Sequence, residues 1–148
     1  MIIRFFSKSE SYREFSNFAP FPIEIDGAIW PSVEHYYRAQ KFADPALQEK
    51  IRTAKKPVIA KSLAAKYRQG ARVDWNEAKG AVMERAVRAK FAQHEALRAL
   101  LLATGEEPLA EAAPNEYYWG VGEDGTGQNK LGLLLMRLRA ELREEAAA

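Results

Sequence analysis

The sequence predicts an α+β domain, mainly helical, in which a small N-terminal β-hairpin and sheet pack on a helical core. Three observations carry that prediction. Strand-like stretches are few and precede the helices, apolar residues further on recur at helical spacing, and no repeat or low-complexity linker breaks the 148 residues. With 47% hydrophobic and 28% charged residues, the chain suits one domain over residues 1–148 with a real core.

Residues 2–6 (IIRFF) read as a short strand. In IEIDGAIW, residues 23–30, Asp26-Gly27 between apolar-alternating flanks is a hairpin signal. Pro31 and Ser32 open a helix expected to run to about Phe42, ahead of Asp44-Pro45. Short helices are expected over 45–53 and over 57–68, the second opened by Pro57 and stopped near Gly70. Asp74-Trp75-Asn76-Glu77 has capping-box spacing, and the stripe Ala78, Val82, Met83, Ala86, Val87, Phe91 follows it. Helix continues over 95–104 to a stop at Thr104-Gly105. Residues 109–119 read as irregular or short strand. The loop GVGEDGTGQN then leads into a last helix with Leu131, Leu134, Leu135, Leu138 and Leu142 on one face, and residues 144–148 are expected to fray.

Composition narrows the chemistry. There is no cysteine, hence no disulfide, thiolate nucleophile or Cys-based metal site, and with only His35 and His94 a histidine-rich metal site is not expected. No metal or cofactor is called for. No apolar stretch is long enough for a membrane span and MIIRFFSKSE lacks a signal-peptide pattern, so a cytoplasmic protein is expected. The net charge of +2 is unevenly spread: Arg38–Lys90 holds 14 Lys/Arg against 5 Asp/Glu, and Glu106 onward holds 9 acids against 4 bases. A basic middle suits a phosphate-bearing partner, or is simply the solvated face of amphipathic helices.

The densest chemistry lies in IWPSVEHYYRAQKF, residues 29–42. On a helix Glu34, Tyr37 or Arg38, and Lys41 fall along one face and His35 on its neighbour. A carboxylate beside an ammonium on one pocket wall is a usable acid–base or nucleophile pair. Spacing alone also allows a plainer reading, with Glu34 and Lys41 placed to suit the helix dipole. In the loop, Gly120, Gly122, Gly125 and Gly127 allow close backbone approach, and the helix start at Asn129 offers a place for phosphate; a flexible connection explains the same residues. The loop matches G-x-G-x-x-G only literally, since no buried parallel strand leads into it. Trp75 and Trp119 offer stacking surfaces or core packing, and Glu116 is a second carboxylate near Trp119.

Taken together, these blocks resemble the YbiA-like, or NADAR, proteins along essentially the whole chain. The matching stretches are FFSKSESYREFSNFAPFPIEIDG, IWPSVEHYYRAQKF, VDWNEAKGAVMERAVRAKF, LLLATGEEPLAE and NEYYWGVGEDGTGQNKLGLLLMRLR. The resemblance implies N-glycosidic bond hydrolysis without a metal. Its substrates are phosphoribosylamino-pyrimidine intermediates of riboflavin biosynthesis or, in other members, ADP-ribosylated guanine or an NAD-derived nucleotide. It places the family's acids on Glu34 and Glu116, expected to be catalytic, and its helix-start tryptophan on Trp75. With such a substrate Glu34 would serve as the acid–base or charge-stabilising group or, alternatively, Lys41 would attack C1′ as an imine-forming amine, and the sequence leaves both routes open. With that substrate in view, Asn17, Phe18, His35, Tyr37, Arg38, Trp75, Trp119, Gly120, Gly122 and Asn129 are the candidate substrate-binding residues. Glu116 departs from the family, which has Asp before Tyr-Trp-Gly. The expected partner is therefore a small phosphoribosyl or ADP-ribosyl molecule, with nucleic acid only as a modified substrate and no membrane. A nucleic-acid-binding module is the rival reading of the basic middle segment, and nothing in the sequence sets the oligomeric state.

Overall fold

A computed structural model describes all residues, Met1–Ala148. The chain sorts into two compact units, one made of Met1–Ala19 with His94–Ala148 and the other of Pro20–Gln93.

Strand β1 (Ile3–Phe5) belongs to the first of these units; in the Pro20–Gln93 unit β2 (Ile23–Ile25) pairs antiparallel with β3 (Ala28–Trp30). Ile25 opposes Ala28, so Asp26-Gly27 form the whole turn, and their φ values of 55° and 79° are what a two-residue I′ turn demands. Glycine adopts such φ freely, and aspartate is among the few other residues that tolerate it. The Asp26 carboxylate is held by both terminal nitrogens of Arg85, at 2.7 and 3.1 Å, which ties the turn to the long helix of this unit. Both groups are well exposed, so the pair is worth at most about 1 kcal/mol.

Four helices complete the unit: α1 (Val33–Ala39), α2 (Pro45–Arg52), α3 (Pro57–Lys66) and α4 (Trp75–Gln93). Their starts follow local rules. The Ser32 hydroxyl accepts from the His35 amide, the Asp44 carboxylate accepts from the Ala46 amide, and Pro45 and Pro57 open α2 and α3. At α4 the expected capping box gives way to a different pair. Both Asp74 carboxylate oxygens are taken by Arg72, at 2.6 and 2.9 Å, because that guanidinium lies two residues away and binds them in a fork. Met83, Ala86, Val87 and Phe91 are the buried stripe of α4, while Ala78 and Val82 lie at its half-exposed end. Helices α2, α3 and α4 all pack on α1. Consequently α1 is buried on every side, with Val33, Glu34, His35, Tyr36, Tyr37 and Ala39 all inside. A helix buried all round must find a partner for each polar group it carries.

In the other unit, β1 pairs in parallel with β4 (Leu109–Glu111), Ile3 opposite Leu109. The unit also holds α5 (Glu95–Ala103), stopped at Thr104 and Gly105 with φ 64° at the glycine, and α6 (Lys130–Ala147). Leu131, Leu134, Leu135 and Leu138 are buried as the leucine spacing predicts, with Leu142 half-exposed. Residues 144–147, expected to fray, continue the helix. Arg139 is buried on the same helix; its guanidinium donates to the Thr104 hydroxyl at 2.9 Å and the Glu107 carbonyl at 2.8 Å, which closes the end of α5.

Candidate active site

The Pro20–Gln93 unit brings Glu34, Tyr37, Arg38 and Trp75 into one connected group. Glu34 is 3% exposed, and its carboxylate receives the Arg38 Nε–H at 2.6 Å. The two residues stand one helical turn apart, so a seven-residue helix is enough to set the pair. The Arg38 guanidinium also lies 5.3 Å from the centre of the Tyr37 ring, and that ring lies 5.1 Å from Trp75, tilted by 53°. Tyr37 itself is 4% exposed. Its ring lies between Arg38 and Trp75 and touches both. Trp75 stays half-exposed at the start of α4, with ring surface left for a ligand.

Lys41 is placed differently from the sequence expectation. Helix α1 ends at Ala39, with Gln40 as its last cap, so Lys41 sits in the turn that follows the helix. Its backbone is pinned on both sides: the amide donates to the Arg38 carbonyl at 3.3 Å, and the carbonyl accepts from the Arg72 amide at 2.9 Å. Burial holds the Lys41 ammonium below its usual pKa, and the nearby charges of Arg38, Lys79 and Arg68 push it further down. Neither Lys79 nor Arg68 was singled out in the sequence. Lys79 had a usable signal, since it follows Trp75 by four residues and shares its helix face; Arg68, in the short turn after α3, had none.

His35 has a structural role that the substrate-binding assignment missed. Its side chain is 1% exposed, with Nε2 at 3.0 Å from the Ala54 carbonyl and Nδ1 at 2.7 Å from the Ser32 hydroxyl. A carbonyl can only accept, so Nε2 carries the hydrogen and the neutral ring accepts from Ser32 at Nδ1. Burial lowers the His35 pKa, which keeps this neutral form. The ring thus fastens the start of α1 to the chain between α2 and α3. Tyr36 is also internal, bonded to Arg85, with burial raising its pKa.

Glu116, Trp119, Gly120, Gly122, Asn129, Asn17 and Phe18 belong to the other unit. Glu116 turns back on its own loop: Oε2 accepts from the Tyr118 and Trp119 amides at 3.1 and 3.0 Å. Trp119 meets Tyr118 edge to face at 4.9 Å. Asn17 and Phe18 are half-exposed beyond a short 3-10 turn, and the Phe18 amide donates to the Ser16 hydroxyl.

Most amides around the glycine loop are taken up within the unit. The amides of Val121, Glu123, Gly127, Gln128 and Asn129 donate to carbonyls of Glu111, Pro114, Val121, Tyr117 and Gly120. At the start of α6, Lys130 and Leu131 donate to Tyr118 and Trp119, and the Asn129 side chain bridges the Glu111 amide and the Leu109 carbonyl. Two of the glycines also answer a packing need. A Cβ on Gly120 would come within 2.6 Å of the Glu111 carbonyl oxygen, and one on Gly122, whose φ is 72°, would overlap the Tyr117 ring.

Comparison with known proteins sets this geometry in a family. The NADAR domain model matches residues 4–143, which run through both units. The chain belongs to the NADAR domain family. Among NADAR relatives, the Escherichia coli N-glycosidase YbiA is 48% identical over 141 residues, covering 95% of this chain and 88% of that protein. The N-glycosidase Npun_R5314 of Nostoc punctiforme is 40% identical over 146 residues, covering 97% and 94%. A Vibrio vulnificus riboflavin biosynthesis protein, VVA0006, is 44% identical over 144 residues, which cover 97% of this chain and 39% of that protein. The solved structure of Escherichia coli YbiA superposes with a TM-score of 0.90 at 47% identity, covering 99% of this chain and 87% of that one. The α+β, mainly helical NADAR fold expected from the sequence is therefore the fold observed. No helix of the chain is long and apolar enough to cross a membrane.

Proposed function

We propose that this hydrolase of N-glycosyl compounds cleaves the C1′–N bond of phosphoribosylamino-pyrimidine intermediates of riboflavin biosynthesis, releasing ribose 5-phosphate and the free aminopyrimidine. The observation that carries the reading is one compact unit holding a buried carboxylate fixed by arginine, a lysine of lowered pKa and a half-exposed tryptophan that meets Tyr37 of the same helix as the carboxylate. The names of the N-glycosidase and riboflavin-biosynthesis relatives support the substrate class.

The chemistry follows from those groups. The exocyclic nitrogen of the substrate expels O4′ from C1′, and O4′ takes a proton, leaving an open-chain imine. Neutral Lys41 adds through Nζ to C1′. A proton passes from Nζ to the pyrimidine nitrogen, the C1′–N bond breaks, and the aminopyrimidine leaves an imine between C1′ and Lys41. Water adds to C1′, the C1′–Nζ bond breaks, and the sugar departs as an aldehyde that recloses, so one water is consumed in total. A lysine held below its usual pKa is suited to this role, because only the unprotonated amine attacks. The Glu34 carboxylate stabilises positive charge at C1′, and Arg38 keeps it in place. Trp75 supplies a face for the pyrimidine.

The test is incubation with a phosphoribosylamino-pyrimidine. Equimolar ribose 5-phosphate and free aminopyrimidine are expected, and an intact substrate after prolonged incubation with stoichiometric enzyme would remove this function.

A further inference from the structure

We propose that Gln48 is a positioning residue for the reaction: its side-chain amide fixes the turn from which Lys41 reaches the sugar. The proposal rests on the N-glycosidase reading for the role of Lys41, and on the Pro20–Gln93 unit alone for its geometry.

Lys41 lies within residues 40–44, the connection between α1 and α2, where the regular helical ladder has ended. Its orientation therefore depends on where the backbone groups of that connection find partners. On the near side, the amides of Gln40, Lys41 and Phe42 donate back to the carbonyls of Tyr36, Arg38 and Ala39 at 3.0, 3.3 and 3.1 Å. On the far side, two successive carbonyls are taken by groups from outside the connection. The Lys41 carbonyl accepts from the Arg72 amide at 2.9 Å, and the Phe42 carbonyl accepts from Gln48 Nε2 at 2.7 Å. Peptide groups are planar, so bonds to the groups on both sides of the Lys41 Cα fix its φ and ψ and leave the side-chain torsions free. The Phe42 ring, 1% exposed, holds the next residue in the core.

Among these bonds only that of Gln48 comes from a side chain, so it is the one a substitution removes. Gln48 stands half-buried on α2, with its own amide donating to the Asp44 carbonyl at 3.0 Å. A primary amide suits the place because it donates without carrying charge, whereas a carboxylate offers no donor. A cation there would add to those already felt by the Lys41 amine, from Arg38 on α1, Lys79 on α4 and Arg68 in the turn after α3. Attack on C1′ needs Nζ within about 3–3.5 Å in the right direction, and a displacement of about 1 Å costs up to about 10²-fold in rate. Nζ rides at the end of a four-carbon stem, so a small backbone rotation at Lys41 becomes a displacement of that size.

The experiment uses Gln48→Met, which keeps the unbranched shape and the helix preference but removes the donor, with Gln48→Leu as a second variant. Folding is checked by circular dichroism, and kcat and KM are measured on the phosphoribosylamino-pyrimidine. The titration midpoint of Lys41 is followed by NMR in 13C-lysine-labelled protein, its signal assigned by its loss in Lys41→Arg. In Gln48→Met kcat should fall by about 10-fold or more while KM stays within about 3-fold, because Trp75 still receives the base. The Lys41 midpoint should rise by about half a pH unit or more, which leaves about 3-fold less neutral amine at neutral pH. A loosened turn lets the ammonium reach water, and Gln48 is uncharged, so the rise reports the position of Lys41 and not a lost charge. A merely structural bond would lower Tm and leave that midpoint in place.

An unmoved Lys41 midpoint in Gln48→Met, or a kcat within about 3-fold of wild type, would overturn the proposal. Should the wild type leave the substrate intact, the N-glycosidase reading fails and the titration alone decides. A raised midpoint in Gln48→Met then supports the positioning of Lys41, and an unmoved one overturns it. If Gln48→Met does not fold, Gln48→Leu carries the same comparison.

Discussion

Replacing Glu34 with Gln keeps the shape of the side chain and its capacity to accept one hydrogen bond, but removes the charge that faces Arg38. The carboxylate is buried, while the Arg38 side chain remains 22% exposed. Leaving a fully buried ion without its partner costs roughly 3–5 kcal/mol. Water reaches Arg38, and the Gln carbonyl still accepts from Nε, so a loss of about 1–3 kcal/mol is expected. For a chain of this length that lowers Tm by several degrees, at about 2–4 °C per kcal/mol. It does not unfold a domain whose total stability is on the order of 5–15 kcal/mol, so the variant stays folded at assay temperature. Any large loss of turnover therefore reports on chemistry. A drop in kcat of at least about 10²-fold is expected, the lower range for removal of an acid–base or charge-stabilising group. Released ribose 5-phosphate measures it, with calorimetric melting run in parallel. Near-normal kcat in a folded Glu34→Gln protein would refute the assignment, since no second acid lies in that segment.

Borohydride added during turnover should trap a sugar adduct on Lys41, and Lys41→Arg should be inactive although its charge is kept; an active Lys41→Arg enzyme with no adduct leaves Lys41 only an electrostatic role. Trp75→Ala should weaken substrate binding by about 1–3 kcal/mol, the usual value of one base stacked on an aromatic ring, read as a higher KM or product inhibition constant. For His35 the folded pKa lies below the unfolded value near 6.5, so the unfolded chain binds more protons and stability falls as pH drops below about 6.5. Melting curves between pH 7.5 and 5 should show that slope, and it should be reduced in His35→Gln. Gly122→Ala should lower Tm clearly, because the new Cβ meets the Tyr117 ring and φ is positive; a Tm unchanged within a degree would contradict the packing account of this loop.

Much of the local architecture could be read directly from short stretches. Asp26-Gly27 marks a hairpin because its backbone geometry suits those residues, and Ser32, Asp44, Pro45 and Pro57 mark helix starts for equally local reasons. The leucine spacing of α6 revealed its buried face. Glu34 and Arg38 were placed together by helix periodicity alone, and the family resemblance was legible from five ordered blocks. Tertiary structure decided the rest. The parallel pairing of β1 with β4 joins segments a hundred residues apart that carry no shared spacing signal. Helix α1 stops short of Lys41, and the Lys41 carbonyl is held by the Arg72 amide from a turn distant in sequence. Likewise the acceptor for the buried His35 ring comes from Ala54, nineteen residues on, and the amides beside the loop glycines find carbonyls within the same unit. Sequence by itself determines where the chain turns, caps and alternates, because those preferences act over a few residues. Which polar groups remain available for chemistry is settled only when distant segments have satisfied the others, because a buried donor or acceptor takes whatever partner the fold brings to it.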